Sequence, residues 1–148
     1  MKNEITGMKL RLIVMNFLQF AVWGAYLTSM GTYLFNIGLG AKIGLFYAMQ
    51  GIVSLFMPAI MGIIADRWVP AQKLYGFCHF MAAVFMVAAG WYGYVDGEAV
   101  NFGTLFTFYS LSVAFYMPTL ALTNSVAYTA LDKVKLDPVI AFPRSEER

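Results

Sequence analysis

Residues 12–41 read LIVMNFLQFAVWGAYLTSMGTYLFNIGLGA, a run of 30 residues without a charge. About 20 apolar residues suffice for a helix to cross the hydrocarbon core of a bilayer. Working outward from this run, Lys42 interrupts, and residues 43–65 then add 23 uncharged residues closed by Asp66 and Arg67. Residues 74–95 add 22 more, closed by Asp96 and Glu98, and residues 99–131 add 33, closed by Asp132 and Lys133. The pattern predicts four transmembrane helices, at about 10–36, 41–65, 73–95 and 101–130. The two longest runs each suit one tilted helix with part of a loop, not two helices.

Composition agrees. Of 148 residues, 60% are hydrophobic and 12% are charged, whereas a soluble domain carries about 25% charged residues. Such a chain is neither an ordinary soluble globule nor disordered. A net charge of +2 gives no footprint for nucleic acid. One cysteine, Cys78, excludes a disulfide scaffold and a multi-cysteine zinc site, and no metal or cofactor is expected. The first run is too long for the apolar core of a cleaved signal peptide. The runs are continuously apolar rather than alternating, so the backbone must satisfy itself as helix and not as a barrel. The fold class read from these facts is an all-α membrane protein.

Lys and Arg set the expected orientation. Lys2, Lys9, Arg11, Arg67, Lys73, Lys133, Lys135, Arg144 and Arg148 fall on one side, and only Lys42 on the other. The positive-inside rule then places both termini in the cytoplasm. Trp68 and Tyr75 anchor one membrane edge, and Trp91, Tyr92 and Tyr94 the other. The domain boundaries follow: a transmembrane bundle over residues 1–131 and a cytoplasmic tail over 132–148.

No Asp, Glu, Lys or Arg lies inside the spans beyond Arg11, Lys42 and Lys73 at their first turns, although proton relays normally show one. The only histidine, His79, sits one turn into the third span, where a hydrogen bond to a neighbour is its ordinary role. Uncharged polar residues are more informative. Asn16, Gln19, Trp23, Tyr26 and Met30 recur at helical spacing and share one face of the first span. Amides beside aromatic rings suit a flat polar ligand, hydrogen-bonded at its edge and stacked on its face. In the fourth span Ser112, Tyr116, Thr119 and Thr123 share a face, with Asn124 and Tyr128 on a second stripe. Interhelical hydrogen bonding, worth about 0.6 kcal/mol per contact, is the alternative use of each. Asn16, Gln19, Trp23, Tyr26, Thr123 and Asn124 are the candidate cavity-lining, substrate-binding residues. Gly40, Gly44 and Ala48 form a small-residue stripe that suits either packing within this chain or contact with helices outside it. Pro58 and Pro118 lie inside spans two and four and are expected to bend them. Enzyme signatures are missing: no His-Glu-x-x-His, no Gly-x-Ser-x-Gly and no P-loop.

Between spans two and three the chain reads Gly62-Ile-Ile-Ala-Asp66-Arg67-Trp68. Gly-x-x-x-Asp-Arg at that loop resembles the signature loop of the major facilitator superfamily, although Val69-Pro70-Ala71-Gln72-Lys73 follows in place of the usual Gly-Arg-Lys. Gly62 would allow close packing as the helix exits, and Asp66 would face a neighbouring helix N-terminus. Phe17 to Gly24, Tyr47 to Ala59, Ala65 to Trp68, Cys78-His79 and Tyr116 to Ser125 resemble the nucleoside:proton symporters of that superfamily. The resemblance runs from about Met8 to Pro143. It implies an inner-membrane permease taking up nucleosides with protons, with twelve helices in two six-helix halves. These four helices would be part of the N-terminal half, with the first and fourth lining a central cavity.

The family also has an arginine four residues after the Phe at position 142, which helps hold substrate. Glu146 stands there, and Arg144 and Arg148 are out of register. The expectation is an N-terminal part of such a permease, truncated before its fifth helix and inactive alone, its proton-handling acids lying outside this chain. The competing readings are a small four-helix accessory subunit and, last, a dimeric multidrug-type exporter, which lacks the intramembrane glutamate it needs.

Overall fold

The computed structural model describes residues 2–96 and 99–133. Gly97, Glu98 and residues 134–148 lie outside the described residues, and with them most of the expected tail at 132–148. Four long helices follow one another: α1 (Lys2–Asn36), α2 (Ile43–Arg67), α3 (Ala71–Asp96) and α4 (Phe102–Lys133). A short 3-10 turn, Gly40–Lys42, leads into α2. All four are long and apolar enough to cross a membrane.

The helix ends differ most from the sequence reading at α1, which begins at Lys2 rather than near residue 10. Hydropathy sees the apolar stretch alone, and the polar residues ahead of it continue the same helix. Gly38 ends the α1 region with φ +77, the left-handed conformation that glycine takes without cost. The Gly38 N–H donates to the Phe35 carbonyl at 3.2 Å and the Leu39 N–H to the Leu34 carbonyl at 2.8 Å. These are the two bonds of a Schellman cap. At the next connection the Pro70 carbonyl accepts from Lys73 and Leu74 at 2.9 and 3.1 Å, starting α3. Asn101 caps α4, its Oδ1 accepting from the N–H groups of Gly103 and Thr104 at 2.8 and 3.3 Å. α2 and α4 run on through Pro58 and Pro118.

α4 is the core of the bundle. Half of its most apolar window, 50%, is buried against the other helices, compared with 6% for α1 and 11% for α2. Phe46 of α2 meets Phe102, Phe106 and Tyr109 of α4 with ring centroids 6.0, 5.3 and 5.0 Å apart. Met30, Leu34, Ala82, Ala89, Leu105 and Val113 complete this cluster, and Met61, Leu74, Cys78 and Leu122 form a second one nearer the Asp66 end. Of the Gly40, Gly44 and Ala48 stripe, Gly40 packs against Phe35 of α1, whereas Gly44 and Ala48 are exposed and a Cβ on Gly44 would meet nothing within 4 Å. The described helices therefore supply a packing partner for Gly40 alone.

Candidate functional site

α1 and α3 stand apart. Among the described residues no Cα pair of the two helices lies within 8 Å. Long side chains alone bridge the gap, and α4 floors it. The result is a groove in three connected recesses. One, of about 580 Å³, lies between Gln19, Val22, Tyr75 and His79. A second, of about 460 Å³, shares Val22 and His79 and extends to Tyr26, Met86, Ser112 and Tyr116. The third, of about 300 Å³, shares Tyr26 and Met86 and ends among Tyr33, Phe46, Leu105 and Tyr109.

The level nearest the Asp66 end is closed by one glutamine. Gln19 is 2% exposed. Its Nε2 donates to Thr119 Oγ1 at 2.7 Å, and its Oε1 accepts from Tyr75 Oη at 2.9 Å. The Tyr116 hydroxyl donates to the Gln19 backbone carbonyl. Thr119 in turn donates to the Tyr116 carbonyl at 2.6 Å, and Thr123 to the Thr119 carbonyl at 2.7 Å. One residue of α1 thereby ties α3 and α4 together with both ends of its amide engaged. His79 lies against this clasp, 4.3 Å from the Tyr75 ring and 5.8 Å from that of Tyr116. Its Nδ1 is 3.1 Å from the Tyr75 carbonyl, a hydrogen bond that requires the proton on Nδ1.

One to two turns further along α1 the chemistry changes. The indole N–H of Trp23 and the hydroxyl of Tyr26 are hidden and face each other in a loose side-chain contact. On α4 the Tyr109 hydroxyl is unpartnered among the described residues, on a residue 1% exposed. Tyr26 also packs edge-on against Tyr116, with centroids 5.8 Å apart. At the far end Tyr33 Oη donates to the Ala89 carbonyl at 3.1 Å, closing the groove. A Cβ on Gly93 would overlap that hydroxyl, so any larger residue there requires the Tyr33 side chain to shift. Ser112 Oγ, which donates to the Ala82 carbonyl at 2.7 Å, pins α4 to α3 along the floor.

The structure turns Asn16, Gln19, Trp23 and Tyr26 away from the exposed side of α1. Asn16 Nδ2 bonds the Leu12 carbonyl of its own helix at 3.2 Å. Thr123 is buried, whereas Asn124, one residue on, is exposed. Asn124 therefore does not join the α1 residues. It heads an uncovered polar stripe of α4 with Ser125 and Thr129. Asp66 and Arg67 are exposed at the end of α2, and a Cβ on Gly62 would meet nothing within 4 Å. The close approach expected at Gly62 is thus not made by the described helices. In sequence Tyr75 reads only as an interfacial anchor and Tyr109 does not stand out, because aromatics in apolar runs read as anchors or core. The heptad separation of Tyr109 from Tyr116 was the available signal.

Long apolar helices, two of them continuous through prolines, with amides, hydroxyls and aromatic rings gathered along a groove, define a polytopic membrane protein of the transporter class. The chain belongs to the nucleoside H+ symporter family, whose model matches residues 6–146. It is 40% identical over 136 residues to the xanthosine permease of Escherichia coli, covering 90% of this chain and 31% of that protein. It is 37% identical over 140 residues to the nucleoside permease NupG of the same bacterium, covering 93% and 32%. Two crystal structures of the nucleoside transporter NupG, one of a mutant, match with TM-scores of 0.75 and 0.79 at 36% identity. Each match covers 92% of this chain, and 32% and 33% of the NupG chain. The fold is accordingly part of a major facilitator bundle, in a multi-pass membrane protein. The chain spans about a third of the length of these relatives, which are permeases and transporters rather than enzymes.

Proposed function

We propose that this chain supplies the N-terminal third of a permease that takes up nucleosides together with protons across the inner membrane. The observation that carries this is the contrast between two uncovered helix faces. The exposed face of α2 presents Ile52, Leu55, Phe56, Ile60 and Ile63, as lipid requires. The exposed face of α4 presents Asn124, Ser125 and Thr129 within a membrane-spanning helix. Polar side chains at such depth are tolerated beside a water-filled cavity or other protein. With both termini cytoplasmic, α4 borders the path of a polar organic substrate, and Asn16, Trp23, Tyr26, Thr123 and Asn124 lie along or beside it. Gln19 serves that path by holding α1 in place, since both ends of its amide are already engaged. Among the described residues no charged side chain lines the groove above Arg11, which supports placing the acid that handles the proton elsewhere in the full permease. Alternating access needs two repeats rocking about a midplane site, so these 148 residues do not transport alone.

The test is a spliced permease, with residues 1–140 joined to the remaining two thirds of a family relative. Uridine uptake driven by a pH gradient is the expected result. A spliced protein that inserts in the membrane at normal levels without uptake would contradict the reading, and would favour a four-helix accessory protein.

A further inference from the structure

We infer that the open side of the α1–α3 groove is the seat of a further transmembrane helix, supplied by the part of the permease beyond these 148 residues. This deepens the permease reading above and rests on it for the source of that helix. The seat itself is formed by described residues. Val14, Leu18 and Val22 recur every fourth residue along one rim, and His79, Ala83 and Val87 along the other. Rows of that spacing are the ridges by which helices pack. Together they flank the recesses of about 580 and 460 Å³, which meet at Val22 and His79. The apolar rims are uncovered, with Leu18 54% and Val87 69% exposed. From Leu10 to Tyr26 the two recesses run about 24 Å along α1, most of the ~30 Å hydrocarbon core.

Packed helices stand about 8–10 Å apart, whereas among the described residues no Cα pair of α1 and α3 lies within 8 Å. The two therefore flank a gap rather than pack on each other. Its apolar rims suit a helix or an acyl chain rather than a polar substrate. Three observations favour the helix. α1 is the least covered of the four, with 6% of its most apolar window buried. In lipid, helices are held by close packing and interhelical hydrogen bonds, and a helix between the rims would supply the packing that α1 lacks. Ala83 is a notch in the α3 row, and small residues are what let membrane helices approach closely. His79 stands one turn before that notch. Its Nδ1 proton goes to the Tyr75 carbonyl, which leaves Nε2 an acceptor without a partner among the described residues. A helix bearing a hydroxyl or amide can donate to it, and an acyl chain cannot. The source of the occupant follows from length. The chain spans 31% of the xanthosine permease and 32% of NupG, which leaves such proteins ample length for further spans.

A spin label on Leu18→Cys, in a Cys78→Ala background, reads what covers the rim. Collisions with oxygen report lipid, collisions with a water-soluble nickel chelate report an aqueous path, and low values for both report packed protein. For the 148-residue chain in nanodiscs the label is expected to meet oxygen freely, because the rim then faces lipid. In the spliced permease, with the relative's part free of cysteine, oxygen access should fall about five-fold and nickel access stay low, as in a close-packed interior. Pairing Leu18→Cys with cysteines stepped along the relative's spans should give disulfides at positions three or four residues apart within one span. Oxygen access unchanged by the splice, a rise in nickel access, or disulfides only between two copies of the chain would overturn the proposal. If the splice does not insert, the same label is read with the relative's remaining two thirds co-expressed as a separate polypeptide. Shielding without uptake strikes the transport reading alone, and uptake with the label still open to oxygen strikes the seat alone.

Discussion

Two levels of the α1–α3 groove use the same residue types in opposite ways. At Gln19 every polar group is paired, across three helices and sequence separations of 56 to 100 residues. Further along the groove the Tyr109 hydroxyl is as deeply buried and carries no partner, and half-buried Tyr26 meets only the Trp23 indole. The difference separates what holds the bundle from what merely packs in it. A saturated amide fixes the position of α1, which no backbone contact with α3 secures. An unpartnered buried hydroxyl gives up some stability.

That contrast can be broken at several points. The largest effect is expected from Gly93→Ala, because the new methyl group overlaps the Tyr33 hydroxyl. Either the Tyr33 bond to α3 is lost or the helices separate, at about 1–3 kcal/mol for an overpacked contact. Unfolding in mixed micelles measures this, and a wild-type midpoint would show that α1 does not rest on α3 there. Next, Gln19→Leu should destabilise by about 1 kcal/mol, two interhelical hydrogen bonds at the usual membrane value. The double-mutant cycle with Thr119→Val sharpens it, since most of the loss should be shared between the two sites. Asn101→Ala removes the α4 cap outside the groove and should cost about 1 kcal/mol without adding to the loss from Gln19→Leu beyond a simple sum. Smallest in stability is Asn124→Ala, on an exposed position with no hydrogen bond among the described residues. It should leave the melt unchanged yet lower uridine uptake in the spliced permease several-fold. Unaltered uptake would place Asn124 outside the substrate path.

Much of this architecture was legible beforehand. Charge-free runs mark the four helices, because charge inside a bilayer is costly whatever the tertiary packing. The inward face of α1 was legible too, since Asn16, Gln19, Trp23, Tyr26 and Met30 follow the helical repeat. Their division of labour was not. That Gln19 is saturated from α3 and α4 while Tyr26 meets only its own helix's Trp23 depends on which turns of α4 and α3 cross α1, and spacing along one helix holds no information about that. Thr123 and Asn124 illustrate the limit at closest range. Adjacent residues point about 100° apart on a helix, so one is buried on its own turn while the other is uncovered. The α1 start at Lys2 escaped for another reason: hydropathy reports the membrane, and the helix continues past it.

The most direct test of that contrast is a paired melt of the chain in nanodiscs. Gln19→Leu is set against Tyr109→Phe, which removes only an unpartnered hydroxyl. A clear loss of stability is expected for the first and none, or a small gain, for the second. Equal losses would contradict the contrast, because the Tyr109 hydroxyl would then be holding the bundle together as Gln19 does.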